Sequence, residues 1–272
     1  MSTFLGVFPN DSSTPAEGEV RVLARGLALL KAFAPRNAPM NNGELAMATG
    51  LPKATVSRIT ATLTRLGYLD YLADSGKYRL AFSTLALGYN AQSTVNVRVR
   101  ARMHMQRFAD VNDLVVVLAV RDELAMLCHE VCRGRGALTI RVGVGSRLAL
   151  PYSAMGRAWL ASLPSAQYEA LLLDMARGYP VPELRPAFEE AAAQIRVSSF
   201  CVTVNSLEPD VNSVATLVDL PQVRSEYVLG CSVPAFRYPP ERCREEIGPA
   251  LLDLRRRIEE DLAPVRREGN ER

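Results

Sequence analysis

Within the six residues Lys53 to Arg58 the chain sets Lys53, Thr55, Ser57 and Arg58, and Thr62 and Arg65 follow at helical spacing. These side chains are mostly hydrogen-bond donors, and a dense set of donors finds its acceptors in phosphate oxygens and in the edges of nucleic-acid bases. The Arg58 guanidinium can bond bidentately to guanine, whereas the Lys53 ammonium, at the positive start of a helix, favours the phosphate backbone. Lys77 and Arg79 lie beyond a glycine-tipped turn, and Arg21 and Arg25 stand upstream, placed to touch flanking phosphates.

The elements that must hold these residues are legible from apolar spacing. Pro52 suits the first turn of a helix, Val56, Ile59, Leu63 and Leu66 form its buried stripe, and Gly67 ends it. At 1.5 Å rise, about 14 residues make roughly 20 Å of rod, with a diameter that enters the B-DNA major groove. Upstream, Leu23, Leu27, Leu30 and Ala34 recur at helical spacing in a helix that must stop at "APRNAP". Asn41 or Asn42 caps a short second helix, with Glu44 three residues after Asn41 as a capping box and Gly50 as its end. After Gly67, "YLDYLADSGKYRL" reads as two strands around an Asp-Ser-Gly turn, with Lys77 and Arg79 on the return strand. Three helices and a hairpin, in that order, predict a winged helix-turn-helix. A lone polar helix face is more often only solvated; the helix order and the basic hairpin favour the DNA reading.

The chain has 272 residues, 48% of them hydrophobic, enough for two domains with a core each. Its net charge of +3 excludes a histone-like polyanion binder, so DNA affinity must come from a local arrangement. Residues 1–19 are polar and read as a disordered arm, 20–81 as the winged helix-turn-helix, 82–93 as a connecting helix and 94–264 as a second domain. In that domain "NVRVRARMHMQRFADV" opens as a helix, and "DLVVVLAV", "ELAMLCHEV" and "ALTIRV" follow as strands. "AMGRAWLASL", "SAQYEALLLDMA" and "ELRPAFEEAAAQI" are helical, and "SFCVTVN", "NSVATLVDL" and "EYVLGCSV" return to strand. The closing helix from Pro240 should kink or split at Pro249. The expectation is an α+β chain whose second domain is a mixed α/β sensor.

An enzyme would need a catalytic set. There are two histidines, His104 and His129, and "GVGSR" matches neither a dinucleotide loop nor a phosphate loop. His129 and Glu130 between Cys128 and Cys132 invite a metal, but strict strand alternation would put Cys128, Glu130 and Cys132 on one face and His129 on the other. No metal or cofactor is expected, and the five cysteines read as buried thiols. No apolar run is long enough to span a membrane and no signal peptide opens the chain, so a cytoplasmic protein is expected. "LPYSAMGRAWL" turns from strand to helix near Ser153 to Gly156, where free N–H groups can hold an anion such as a carboxylate.

"LARGLALLKAFA", "GELAMATGLPKATVSRITATLTRLGYL" and "GKYRLAFSTLALG" resemble the DNA-binding half of the IclR family of bacterial transcriptional regulators. "VGVGSRLALPYSAMGRAWLASLP" and "LEPDVNSVATLV" resemble that family's effector-binding half. The resemblance implies a GAF-like effector domain, a double-stranded DNA operator, assembly into dimers or tetramers, and repression or dual regulation controlled by a small carboxylate. It also implies that the backbone at Ala154 and Met155 holds the carboxylate, that Ala137, Ile140 and Leu148 form an apolar wall, and that Thr203, Ser213 and Ser232 give polar contacts. Where the family often carries acids this chain has "TVNS", Asp210 stands where glycine is usual, and Pro234 replaces a small polar residue, which implies a more apolar, aromatic acid. The rival reading is an enzyme or metabolite-binding protein whose N-terminal domain makes protein contacts.

Overall fold

The computed structural model describes residues 20–33, 38–91, 97–136, 142–221 and 226–263. The expected arm at 1–19, the "APRNAP" stop and the "ALTIRV" strand fall wholly or largely outside them. The chain divides into two compact units, 6–95 and 96–272.

The first unit holds α1 (Arg21–Lys31), α2 (Asn42–Thr49), α3 (Lys53–Arg65), β1 (Leu69–Leu72), β2 (Lys77–Leu80) and α4 (Phe82–Ala91). The capping box forms: Asn41 Oδ1 accepts from the Glu44 N–H at 2.9 Å, and Glu44 Oε2 accepts from the Asn41 N–H at 2.8 Å. Gly50 ends α2 at φ +68°. Pro52 sits at the N-cap of α3 rather than inside its first turn. Val56 and Ile59 enter the core and Leu63 packs against it, but Leu66 is exposed because the helix ends at Arg65 and the chain turns away. The buried stripe of α1 differs from the expected one: Leu29 and Phe33 enter the core with Leu30 beside it, while Leu23 and Leu27 face solvent. Two overlapping stripes are available at that spacing, and packing on α2 and α3 selects between them.

The second unit opens with α5 (Val97–Asn112), β3 (Val115–Asp122) and β4 (Ala125–Arg133), followed by the three-residue β5 (Arg147–Ala149), which the sequence does not announce. Then come α6 (Ala154–Leu160), α7 (Ser165–Met175), α8 (Val181–Ser198), β6 (Cys201–Val204), β7 (Val211–Val218) and β8 (Tyr227–Pro234). Among the described residues six strands make one sheet in the order β5-β4-β3-β8-β7-β6, every neighbouring pair antiparallel. α5 lies on β3 and β4, while α6 packs on β7 and β8. Val117, Met126, Ala215 and Val228 of the sheet join Trp159, Met175 and Phe188 in the main core.

The closing helix does split. α9 (Pro240–Arg242) runs into a π turn at Cys243–Ile247 before α10 (Gly248–Leu262). Pro249 has no N–H for the preceding turn, and the wider winding accommodates the break. Asp210 takes φ +58°, a left-handed conformation that glycine adopts freely and aspartate tolerates.

The capping box is the local feature that starts α2, so Asn41→Ala should lower stability by about 1 kcal/mol, read as a lower urea midpoint with an unchanged slope.

Candidate functional site

The N-terminal site is a helix face. Lys53, Ser57, Arg58 and Thr62 are exposed on α3, Thr55 is half-buried at the edge, and Arg25 is exposed on α1. Neither Lys53 nor Arg58 has an acidic partner among the described residues. The opposite side of α3 is fixed by its apolar residues and by the fully buried Thr60, whose hydroxyl lies 3.1 Å from Asn42 Oδ1 on α2. Thr62 spends its hydroxyl proton on the Arg58 carbonyl at 2.9 Å. The hairpin is pinned to Met40 by reciprocal backbone bonds with Tyr78 of 2.9 and 2.8 Å. Its cations are engaged: Arg79 pairs with Asp70 directly across the hairpin at 3.1 Å, and Lys77 with Glu44 at 3.5 Å.

The C-terminal site is a cavity between α6 and the sheet, about 30 Å³ in volume. Val115, Val117 and Leu148 give apolar walls, Ser153, Ala154 and Met155 come from the start of α6, and Ser213, Gly230 and Ser232 from β7 and β8. Ser153 caps α6 by accepting the Gly156 N–H at 3.0 Å, which leaves the N–H groups of Ala154 and Met155 without an acceptor among the described residues. Ser213 and Ser232 are register partners with hydroxyls 3.0 Å apart. Thr203 pairs with Ser213 in the next strand and is buried, but does not line the cavity. Ala137 and Ile140 lie outside the described residues. Ser153, Leu207 and Glu208 line the cavity as well. The Ser-x-x-Gly start of α6 could have revealed Ser153; no local signal marks Leu207 or Glu208.

Two glycines remove steric bulk here, Gly156 where α6 folds back on the turn at Leu150 and Gly230 where Met155 of α6 lies on the sheet. A β-carbon at Gly156 would collide with the Leu150 carbonyl, and one at Gly230 would stand 2.6 Å from Met155 Cγ.

On the opposite face of the sheet Glu130 is fully buried and pairs with Arg98, at 2.7 Å, and with Arg102, both from α5. A β-bulge breaks the strand alternation here: Leu118 pairs with Glu130 but Ala119 with Cys128, which leaves His129 as the extra residue. Cys128 therefore packs in the main core with Val131, whereas Glu130 and Cys132 face α5, where the Cys132 thiol approaches the Arg102 carbonyl. The expectation of Cys128, Glu130 and Cys132 on one face is corrected by that one extra residue. His129 stacks on Tyr227 and its Nδ1 lies 3.1 Å from the tyrosine hydroxyl. Among the described residues no acid, histidine and cysteine cluster could hold a metal ion. All five thiols are buried and free, and burial pushes Cys128 and Cys201 up to about 12, far from a reactive thiolate at neutral pH.

Comparison with known proteins sets these two sites in context. The family model for the IclR helix-turn-helix domain matches residues 22–73, and that for the C-terminal part of the bacterial transcriptional regulator IclR matches 89–260. The chain belongs to the IclR family of bacterial transcriptional regulators. The HTH-type transcriptional regulator TsaQ1/TsaQ2 of Comamonas testosteroni is 30% identical over 95% of this chain and 94% of its own length. The Pca regulon regulatory protein of Pseudomonas putida is 27% identical over 71% of this chain and 67% of its own. A crystal structure of an IclR family transcriptional regulator from Brucella abortus is 36% identical and superposes with a TM-score of 0.76, covering 94% of this chain and 98% of that one. As an IclR-family member the protein is a DNA-binding transcriptional regulator and not an enzyme. No helix among the described residues is long and apolar enough to cross a membrane.

Burial, and secondarily the Arg98 charge, lower the His129 pKa from its usual 6.5. The folded chain thus favours neutral imidazole, so the stability this gives is complete above about pH 6.5 and is lost as the pH falls below it. Chemical unfolding across pH 7.5 to 5 should show wild type losing stability more steeply than His129→Gln, which cannot titrate; equal slopes would contradict the assignment.

Proposed function

We propose that this IclR-family regulator reads its operator through the outer face of α3 and is switched by a small carboxylate effector bound between α6 and the sheet. The observation that carries the reading is the division of α3: one side is locked by Val56, Ile59 and Thr60, and the other presents Lys53, Ser57 and Arg58. Arg58 is the base-reading residue, Lys53, Thr55 and Ser57 bond phosphates or base edges, Thr62 does so by turning its hydroxyl away from the Arg58 carbonyl, and Arg25 reaches flanking phosphate. Lys77 and Arg79 form the wing contacts. To reach phosphate they must leave Glu44 and Asp70, and exposed pairs of this kind are worth about 0–1 kcal/mol, so the exchange costs little.

In the sensor unit the free N–H groups of Ala154 and Met155 receive the carboxylate, and the apolar walls take the body of an aromatic or similarly apolar acid. Ser213 and Ser232 offer hydroxyls to a polar substituent, and Thr203 supports their row from the neighbouring strand. A dimer or tetramer places two copies of α3 on a pseudo-palindromic site, in keeping with the exposed Val22, Leu23 and Leu27 of α1. Effector and operator binding then form one coupled equilibrium, with repression or dual control as its output. The rival reading, in which the N-terminal unit contacts proteins, predicts no steep fall of duplex affinity with salt.

Arg58→Ala should cost about 1–3 kcal/mol of operator affinity and relax base preference, measured by gel shift against single-base operator variants; unchanged affinity would remove Arg58 from the interface. Ala154→Phe should abolish the effector response with duplex affinity retained. Wild-type effector binding in calorimetry of that variant would place the site elsewhere.

A further inference from the structure

The cavity between α6 and the sheet is small for the ligand proposed for it. Its volume of about 30 Å³ accommodates a water or two, whereas sites for drug-sized ligands span about 300–1,000 Å³. Some of the lining must move for a ring-bearing acid to enter. Val115 and Val117 stand on β3, which is paired on both sides, and β-branched side chains have little rotamer freedom. Gly230, Ser213 and Ser232 have little or nothing to move. Among the lining side chains carried by α6 and the sheet, Met155 is the long, unbranched and torsionally free one.

Its position is specific. The Met155 thioether lies on the bare backbone of Gly230: a β-carbon built there would be 2.6 Å from Cγ and 3.0 Å from Sδ. Gly230 is held on both edges, paired with Val117 and Ala215. Met155 is almost wholly buried, and the open space beside it is the cavity it helps to line.

We propose that the Met155 side chain, seated on Gly230, is the movable plug of the cavity and sets the largest acid that it admits. This rests on the reading of the cavity as the effector site, and it gives the Met155 side chain a role separate from that of its backbone N–H. The thioether lies on Gly230 as part of the cavity lining; an acid that enters displaces it by rotation about the side chain's own bonds, with the sheet unmoved. Larger bicyclic acids exceed what rotation alone can free.

The test is calorimetry on the full-length protein with benzoate and 1-naphthoate as probes, for wild type, Met155→Ala, Gly230→Ala and the double variant. Met155→Ala should bind 1-naphthoate at least tenfold more tightly than wild type does. Gly230→Ala, which drives the thioether into the cavity, should weaken benzoate at least tenfold, and adding Met155→Ala should restore it. That rescue separates a plug from a merely structural contact, since a lost core contact is not repaired by a second truncation. Duplex binding by each variant checks that the chain is folded. If the acids bind wild type but the double variant is as impaired as Gly230→Ala, or Met155→Ala leaves naphthoate binding unchanged, Met155 is not the plug and the effector site still stands. Failure of both acids to bind wild type and Met155→Ala alike overturns the effector-site reading and the plug with it.

Discussion

The sensor unit depends on how closely α6 can lie on the sheet. The missing β-carbon at Gly230 permits the approach, the one at Gly156 lets the helix start fold back on the turn at Leu150, and the Cys201 thiol adds a hydrogen bond of 3.5 Å to the Ala154 carbonyl. Ser153 takes the third free N–H of the helix, so two unsatisfied donors are left beside a paired set of serine hydroxyls and an apolar wall. Buried donors without partners are costly, and the proposed carboxylate would supply the missing acceptors. The cavity's chemistry is therefore a by-product of the same close packing that builds the core.

The DNA-binding unit solves a different problem with simpler means. α3 must expose donors on one side and be immobile on the other. Apolar burial provides most of that rigidity, and the Thr60 hydroxyl against Asn42 fixes the helix against rotation relative to α2. The wing cations are paired with counter-charges, Asp70 and Glu44, and in the proposed complex these exposed pairs would exchange for phosphate at little cost.

Legibility in the sequence followed the range of the interactions. The capping box, the Gly50 stop, the polar face of α3 and the break near Pro249 rest on residues within a turn or two of one another, and each could be read directly. The stripe of α1 could not, because Leu23 and Leu27 fit a helical period as well as Leu29 and Phe33 do, and only packing chooses. The bulge at His129 was invisible because it exists only in the pairing of β4 with β3, yet it reverses which face Cys132 shares with Cys128. Three-residue β5 is too short to show a period. The cavity gathers Val115, Leu148, Met155, Glu208, Ser213 and Gly230 from across the chain; the helix start at Ala154 that lines it could be named in advance, its small volume could not.

The central claim is that one equilibrium couples a carboxylate in the sensor unit to DNA on α3. Fluorescence anisotropy of a labelled duplex from the regulated promoter, titrated with wild-type protein at fixed salt with and without a bound carboxylate, tests it most directly. The account predicts that an acid which binds the protein changes its duplex affinity, by about 5–150-fold for a typical coupling, and that duplex changes the acid's affinity by the same factor. An acid that binds in the cavity and leaves duplex affinity unaltered would contradict it.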